Sequence, residues 1–596
     1  MKFLVAAGLT ALLAACAASP TAQDEIQTAP LQPEEASGYT DKPGWATQHF
    51  AVAAAHPLAT DAGYNILNAG GSAVDAAIAV QMVLSLVEPQ SSGIGGGSFL
   101  LHHDGQRMIT EAFDGRETAP AAANETLFLN TAGKPLGFYE GVVGGRAVGV
   151  PGTVQMLEAA HRQHGKLPWA QLFAPAIALA EQGFKVSERL HSLLVSDVHL
   201  QKDPVAAAYF YDTAGQPWPV GHLLKNPELA SVFKRIANEG SKALMTGDIA
   251  QAIVDKVRQH PTNPGQLALA DLAGYRAIQR QPLCHDYRAV ARDYRICGMP
   301  PPSSGAIAVG QILGLLAHTP AAAIPLMNSL PDARWLHLYT EASRLAFADR
   351  DQYIADPDFV QAPGGSWMSL LEPRYLADRA RLIGPVRMTT VLAGTPGAVK
   401  TSYAPMPEQP EHGTSHISIV DAYGNALAMT SSIENAFGSR QMVQGFLLNN
   451  ELTDFSFTPS DAQGRPIANR VEPGKRPRSS MAPTLVFDKP TGELLMSGGS
   501  PGGAFIIHYA AKLLYGTLNW ELDAQQAINL PNFANLNGLT LLEAKRFPAT
   551  TVESMKRTGA QVREVPMTSG LQAIQKTPSG WFGGADPRRE GVVQGD

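Results

Sequence analysis

Residues 414–438 read TSHISIVDAYGNALAMTSSIENAFG, and this stretch decides the architecture. Apolar and polar residues alternate on either side of Tyr423-Gly424-Asn425, the pattern of a β-hairpin closed by a tight turn. Upstream, residues 390–413 (TVLAGTPGAVKTSYAPMPEQPEHG) lose periodicity and collect Pro, Gly and Thr, so they read as a long exposed segment running into the first strand. Thr414-Ser415-His416 stands at that junction, preceded by Gly413, whose backbone bends freely enough to expose its carbonyl. A threonine hydroxyl is a weak nucleophile by itself. Once the threonine is N-terminal, its own α-amino group, with an ordinary pKa of about 7.7–8.0, serves as its base, so one cut before Thr414 would create both catalytic groups.

Working outward, GFLLNN, PTLVF and ELLMSGG read as further strands downstream of the hairpin. Upstream the pattern is helical. It runs from Pro57 to Leu86 with a break at Gly70-Gly71, where Ser72 is placed to cap a second helix, AVDAAIAVQMVLSLV. Residues 150–260 continue in the same style, as in VPGTVQMLEAAHRQHG and NPELASVFKRIANEG, each closed by Gly. Helices before the junction and strands after it predict strands stacked in the centre with helices outside. The body is expected to begin near His49, and no internal repeat is present.

The chain has 596 residues, 45% hydrophobic and 17% charged, which is globular chemistry with ample length for a large core. A net charge of −7 and no Lys/Arg run flanked by aromatics leave nothing to neutralise phosphates, so nucleic acid is not an expected partner. The first residues, MKFLVAAGLTALLAAC, place one Lys before an apolar run too short to span a bilayer, the layout of a secretory signal. Leu13-Ala14-Ala15-Cys16 resembles the lipobox of bacterial lipoproteins, in which the cysteine is acylated. Residues 1–16 are therefore expected to be a signal with a lipobox, and the polar, Pro-rich residues 17–45 a tether to the body. The location implied is the periplasmic face of a bacterial membrane. Only two other cysteines exist, Cys284 and Cys297, flanking HDYRAVARDYRI, which reads as two short strands around a turn. That spacing admits either a disulfide across the hairpin or two buried thiols.

Several short motifs invite other chemistries. Ser231-Val-Phe-Lys234 matches S-x-x-K, but no S-D-N or K-T-G accompanies it, and two polar residues one helical turn apart explain it. Gly498-Gly499-Ser500-Pro501-Gly502 fits the G-x-S-x-G elbow, yet the residue after the serine must donate an N–H to the oxyanion and Pro501 has none. The same stretch leaves the amides of Gly502 and Gly503 without side chains, a natural anion nest for some other nucleophile. His102-His103-Asp104 could ligate a metal, but neighbours on a strand point to opposite faces and no third cluster has ligand spacing, so no metal is expected. Gly93-Ile-Gly95-Gly96-Gly97 lacks the endings of nucleotide-binding loops and reads as a place where two backbones approach closely.

Residues 414–438 as a whole resemble the signature of the γ-glutamyltransferases, or γ-glutamyl transpeptidases, of the N-terminal nucleophile hydrolase superfamily, departing mildly at Leu427. The likeness extends through HPLATDAGYNILNAGGSAVDAAIA, EPQSSGIGGGSFLL, FDGRETAP, MPPPSSG, LLNNELTDFS, GKRPRSSMAPT, GSPGG and ADPRR, in that order. The resemblance implies an αββα sandwich, built jointly by a large fragment (46–413) and a small one (414–596) after the chain cuts itself between Gly413 and Thr414. It implies Thr414 as nucleophile, Ser432 as a hydroxyl that hydrogen-bonds it, and Gly502 and Gly503 as the oxyanion hole. Arg116, Ser479 and Ser480 would clamp a substrate α-carboxylate, and Glu434, Glu451 and Asp454 would hold its α-ammonium. Many members carry Asn and Gln where this chain has Glu434 and Glu451. No Tyr lies between Asp454 and Ser479, where lidded members place a covering loop with an aromatic.

The implied reaction is two-step: Thr414 attacks the γ-amide of glutathione or a similar donor, and water or an acceptor amino acid or dipeptide takes the γ-glutamyl ester. No cofactor is implied. The rivals are a cephalosporin or glutaryl acylase of the same family, whose substrate lacks the α-ammonium, and an uncleaved lipoprotein that binds γ-glutamyl peptides.

Overall fold

Strand Ser415–Val420 alternates as the hairpin pattern predicts, but both of its faces are buried. Ile417 and Ile419 join a core on one side, Val420 joins a second core on the other, and Ser418 donates from Oγ to the Gln572 carbonyl at 3.3 Å. A strand covered on both sides needs a helical layer on one face and another sheet on the other. The computed structural model, which describes residues 36–290, 292–397 and 402–596, shows that arrangement.

Fourteen strands form two seven-stranded sheets. In chain order they are β1 (Trp45–Thr47), β2 (Ala51–Ala54), β3 (Gly97–Asp104), β4 (Ile109–Gly115), β5 (Ile278–Arg280), β6 (Leu283–Ala289), β7 (Arg292–Gly298), β8 (Ser415–Val420), β9 (Ala426–Ser432), β10 (Thr484–Asp488), β11 (Leu494–Gly499), β12 (Gln572–Thr577), β13 (Gly580–Ala585) and β14 (Val592–Gly595). One sheet has the order β14-β2-β8-β9-β3-β4-β5 and the other β1-β13-β12-β11-β10-β7-β6. Strands β8 and β9 pair antiparallel with Ser415 opposite Ser431, and both face β11 of the second sheet.

The outer layers are helical. Against β2, β8 and β9 lie α1 (Pro57–Asn68) and α2 (Ala73–Val87). Ser72 caps α2 as predicted: its Oγ accepts from the Asp75 N–H at 3.2 Å and its own N–H donates to Asp75 Oδ2 at 2.8 Å. Every residue of α2 is buried, which matches its nearly unbroken apolar run. Against the second sheet lie α3 (Gly305–Ala317), backed by α4 (Ala333–Tyr353), and α5 (Ile506–Leu518). The αββα sandwich expected above is therefore present. Strands do not simply follow the helices along the chain: β1 to β7 precede residue 414 and β8 to β14 follow it, so each sheet is woven from both parts.

Three local expectations need adjustment. Residues 402–413 are not a wholly exposed segment. Ala404 and Met406 are buried against Ile467, and the Ala404 and Met406 N–H groups donate to the carbonyls of Pro466 and Asp351. The body also begins before His49, since Ser37 and Thr40 donate backbone N–H groups to Arg588 and Pro587 and Tyr39 lies 4.5 Å under Arg546. In GFLLNN only Phe446–Leu447 is strand. Asn449 leaves the ladder because its Nδ2 bonds the Gly95 and Gly149 carbonyls at 2.8 and 3.0 Å. Cys284 and Cys297 face each other across β6 and β7 and form a disulfide. Cys16 and residues 1–35 lie outside the described residues, and among the described residues no helix is long and apolar enough to cross a membrane.

Candidate active site

Thr414 sits at the entrance of β8, buried, and its hydroxyl donates to the carbonyl of Gly413, the bond it would attack. Ser432, the last residue of β9, reaches the same carbonyl from across the hairpin: its Oγ donates to Gly413 O at 2.8 Å while accepting the Glu434 N–H at 2.7 Å. That acceptance orients the serine proton toward Gly413, polarising the carbonyl. The hairpin register makes this meeting possible, because it brings the end of β9 beside the start of β8. The glycine run does what its reading predicts. A Cβ on Gly95 would lie 2.2 Å from the Leu447 carbonyl, and one on Gly96 would lie 2.0 Å from that of Ser432.

His416 is not a base for the threonine. It is buried between the sheets, bonded to Thr430 and Ser418 at 2.9 and 3.0 Å, and burial holds its imidazole down to about 3. Gly502 and Gly503 both have positive φ, 132° and 54°, just before α5, where backbone N–H groups collect at a helix start. A Cβ on Gly503 would lie 2.0 Å from the Glu411 carbonyl, so the nest lies directly against the chain that precedes the cut.

Three acids gather beside it. Glu434, at φ 72°, accepts the His412 N–H on Oε1 at 3.0 Å, and its Oε2 is held by Asn450. Glu451 and Asp454 both bind the Arg116 guanidinium, which also donates to the carbonyls of Pro477 at 3.1 Å and Arg478 at 2.9 Å. Burial alone would lower the Arg116 pKa, but Glu451, Asp454 and Glu117 more than offset it and the net direction is upward. Burial raises the pKa of Glu451, and that of Asp454 well above its ordinary value, against the pull of Arg116. Ser479 accepts the Met481 N–H at 3.1 Å, and Ser480 donates to Glu411 at 2.5 Å and accepts from Arg350 at 2.7 Å.

Residues that the sequence did not single out complete this region. Glu117 is wholly buried, raised well above its ordinary pKa by burial and by Glu451, and a Cβ on Gly97 would lie 2.1 Å from its Oε2. Glu117 and Glu451 thus share one buried pocket beside the Arg116 guanidinium, which lies 4.0 Å from Glu117. The position of Glu117 directly after Arg116 in FDGRETAP was the available signal. Arg350, Arg478 and Glu411 belong to three distant parts of the chain and had none. Between Asp454 and Ser479 the aromatic residues turn inward: Phe455 is buried, and Phe457 is stacked on Phe128 at 4.4 Å.

Among the described residues one group has metal-ligand geometry: His102, Glu111 and His164, whose ligand atoms lie within 4.8 Å of one another. His102 finds its third residue through the β3–β4 pairing and a distant helix, which the spacing along the chain does not reveal. His164 lies 2.8 Å from Glu111, and its ring centre lies 4.0 Å from that of His102 at a tilt of 31°.

Glu88, behind the nucleophile, accepts from Ser415 Oγ at 2.7 Å and lies 3.6 Å from Arg189. Burial pushes it up to about 7 in spite of those two partners. From the ordinary 4.5 up to about 7 the folded chain keeps a proton that the unfolded chain has lost, so stability falls as pH rises through that window. The slope is at most about 1.4 kcal/mol per pH unit. Glu88→Gln should remove it. Urea midpoints at pH 5 and pH 7, compared in the uncut Thr414→Ala background, measure this, and equal pH dependence with and without Glu88 would contradict it.

A two-sheet sandwich with a threonine hydroxyl at the mouth of a central strand, aimed at the peptide bond before it, defines the class of N-terminal nucleophile hydrolases. The family model described as gamma-glutamyltranspeptidase matches residues 59–595, so the chain belongs to that family. It is 35% identical over 561 residues to the "Glutathione hydrolase proenzyme" of Bacillus subtilis strain 168, covering 91% of each chain. It is 32% identical to the "Acylase ACY 1 proenzyme" of Pseudomonas sp. strain V22, covering 89% of this chain and 90% of that one. Among solved structures, the cephalosporin acylase of Bacillus halodurans superposes with a TM-score of 0.79 at 24% identity, over 95% of this chain and 99% of that one, a likeness of fold.

Proposed function

We propose that this chain cuts itself between Gly413 and Thr414 and then uses the new N-terminal Thr414 to hydrolyse or transfer γ-glutamyl groups, with glutathione or a similar compound as donor. The observation that carries the reading is the Thr414 hydroxyl against a Gly413 carbonyl already held by Ser432. The fragments 46–413 and 414–596 would stay together as one enzyme. In each turnover Thr414 attacks the γ-carbonyl with its α-amine as base, the Gly502–Gly503 nest receives the oxyanion, and the amine leaves. Water, an amino acid or a dipeptide then takes the ester.

The acylase alternative is separated by the acids. Glu434, Glu451 and Asp454 form a wall suited to a cationic α-amino group, which glutaryl amides lack. γ-Glutamyl amides should therefore be cut with a kcat/KM about 100-fold above glutaryl amides, and Asp454→Asn should raise KM for the former. Similar kcat/KM for both classes would replace this reading with the acylase one.

We also infer anchoring through Cys16, which ends the lipobox and precedes a Pro-rich tether. Cys16→Ser should release the protein from membranes. A wild type found wholly soluble with an unmodified N-terminus would refute the anchor.

A further inference from the structure

His102 carries a polar ring into a region that gives it no partner. It is 1% exposed, and among the described residues neither Nδ1 nor Nε2 has a hydrogen bond. A buried imidazole in that state is costly unless something else meets a nitrogen lone pair. His285 and His412 also have unbonded rings, but neither stands in a group of three ligand-type side chains among the described residues.

The β3–β4 register sets Glu111 directly opposite His102, so both side chains leave the same face of the sheet. That face packs against the helix Thr153–His164, whose last residue supplies a second imidazole. His103 goes to the other face, where its ring centre lies 4.7 Å from that of Phe487 and its Nδ1 lies 3.1 Å from Thr110 Oγ1. Packing thus supplies the ligand that the spacing along the chain lacks.

The ligand atoms of His102, Glu111 and His164 all lie within 4.8 Å of one another. His164 Nε2 approaches Glu111 Oε2 to 2.8 Å without the geometry of a hydrogen bond. Donor atoms on a tetrahedral zinc ion stand about 3.3 Å apart, so the widest pair must close by at most about 1.5 Å. Glu111 and His164 are only partly buried, which leaves them room to rotate and leaves an ion a way in. Gln279 Nε2 donates to the other carboxylate oxygen, Glu111 Oε1, at 2.6 Å, the kind of outer bond that fixes a ligand's orientation. Two imidazoles and a carboxylate suit zinc and its first-row neighbours, whereas calcium and magnesium take oxygen ligands. The end of a helix, where unpaired carbonyls gather, adds to the preference for a cation.

We propose that His102, Glu111 and His164 bind one divalent ion of the zinc class, which fastens the end of that helix to β3 and β4. His102 lies opposite Leu427 of β9, whereas Gly97 lies opposite Ser432 at the catalytic end. Five residues of strand, 102 less 97, put the ion roughly 17 Å from Ser432. It is a structural clamp within residues 46–413 and takes no part in the Thr414 chemistry, so the inference stands apart from the transferase reading.

The test uses the untagged protein, stripped with EDTA and titrated with Zn²⁺ by calorimetry and with Co²⁺ by absorption. One ion should bind per chain, Co²⁺ should give the visible bands of a four- or five-coordinate site, and millimolar Mg²⁺ or Ca²⁺ should not displace it. Glu111→Gln and His164→Gln should each weaken Zn²⁺ binding about 100-fold or more, since even a partner behind a ligand is worth about 10–100-fold. No binding by the wild type, binding that both variants retain, or displacement by Mg²⁺ would each overturn the proposal. Should neither variant fold, the wild-type Co²⁺ spectrum decides alone, and the weak bands of an octahedral ion, or none, would overturn it.

Discussion

Thr414→Ala should remain a single chain of 63.3 kDa less any signal peptide, with activity lower by about 10⁴-fold or more. The hydroxyl of Thr414 is fixed next to the Gly413 carbonyl by covalent structure and by the strand that starts at Ser415. An N-to-O acyl shift thus needs only a polarised carbonyl, which Ser432 supplies, and hydrolysis of the ester then frees the α-amine. Alanine removes both the attacking atom for the cut and the nucleophile for turnover. Thr414→Ser keeps an oxygen at the same place, so it should still cut, more slowly, and retain part of the activity. A denaturing gel and N-terminal sequencing decide the matter. Fragments beginning anywhere but Thr414, or an intact chain with full activity, would remove the basis for the mechanism.

Arg116→Met should have the second large effect, on stability as well as on activity. The wild-type guanidinium balances Glu451 and Asp454 in a region closed to water, and removing one member of a buried ionic group costs about 3–5 kcal/mol. The acids can recover part of this by taking up protons, since burial already raises both. Their folded pKa values would then lie still farther above the unfolded ones. The deficit should therefore be smallest near pH 5 and grow as pH rises toward 8. Arg116→Lys should not restore the wild type, because one ammonium cannot reach two carboxylates and the carbonyls of Pro477 and Arg478 together. Urea midpoints at the two pH values measure the effect, and a variant as stable as wild type at both would show that the acids do not depend on Arg116.

Much of this was legible in the sequence wherever the chemistry is local. The Ser72 cap, the β8–β9 hairpin and the Gly413-Thr414 junction each lie within a few residues, and periodicity or turn chemistry is enough to read them. The pairing of Cys284 with Cys297 was one of two admitted outcomes, and the β6–β7 register selects it. What could not be read is what depends on distant segments meeting. Glu411 on Arg350, Glu88 behind Ser415 and His102 against His164 each join parts of the chain that share no periodic signal. The packing of residues 402–413 was missed for the same reason, because a Pro-rich composition reports only that a segment lacks its own helix or strand.

The interleaving of the two sheets has a consequence for the history of each molecule. The bond between residues 413 and 414 makes folding a search within one chain, in which β8 has only to find its place between β2 and β9. After the cut that tether is gone while the woven sheets remain. A mature molecule that is melted must reassemble from two strangers at a rate set by concentration, and neither part alone completes either sheet. Recovery of the processed enzyme from heat should thus slow on dilution, whereas that of the uncut Thr414→Ala chain should not depend on concentration.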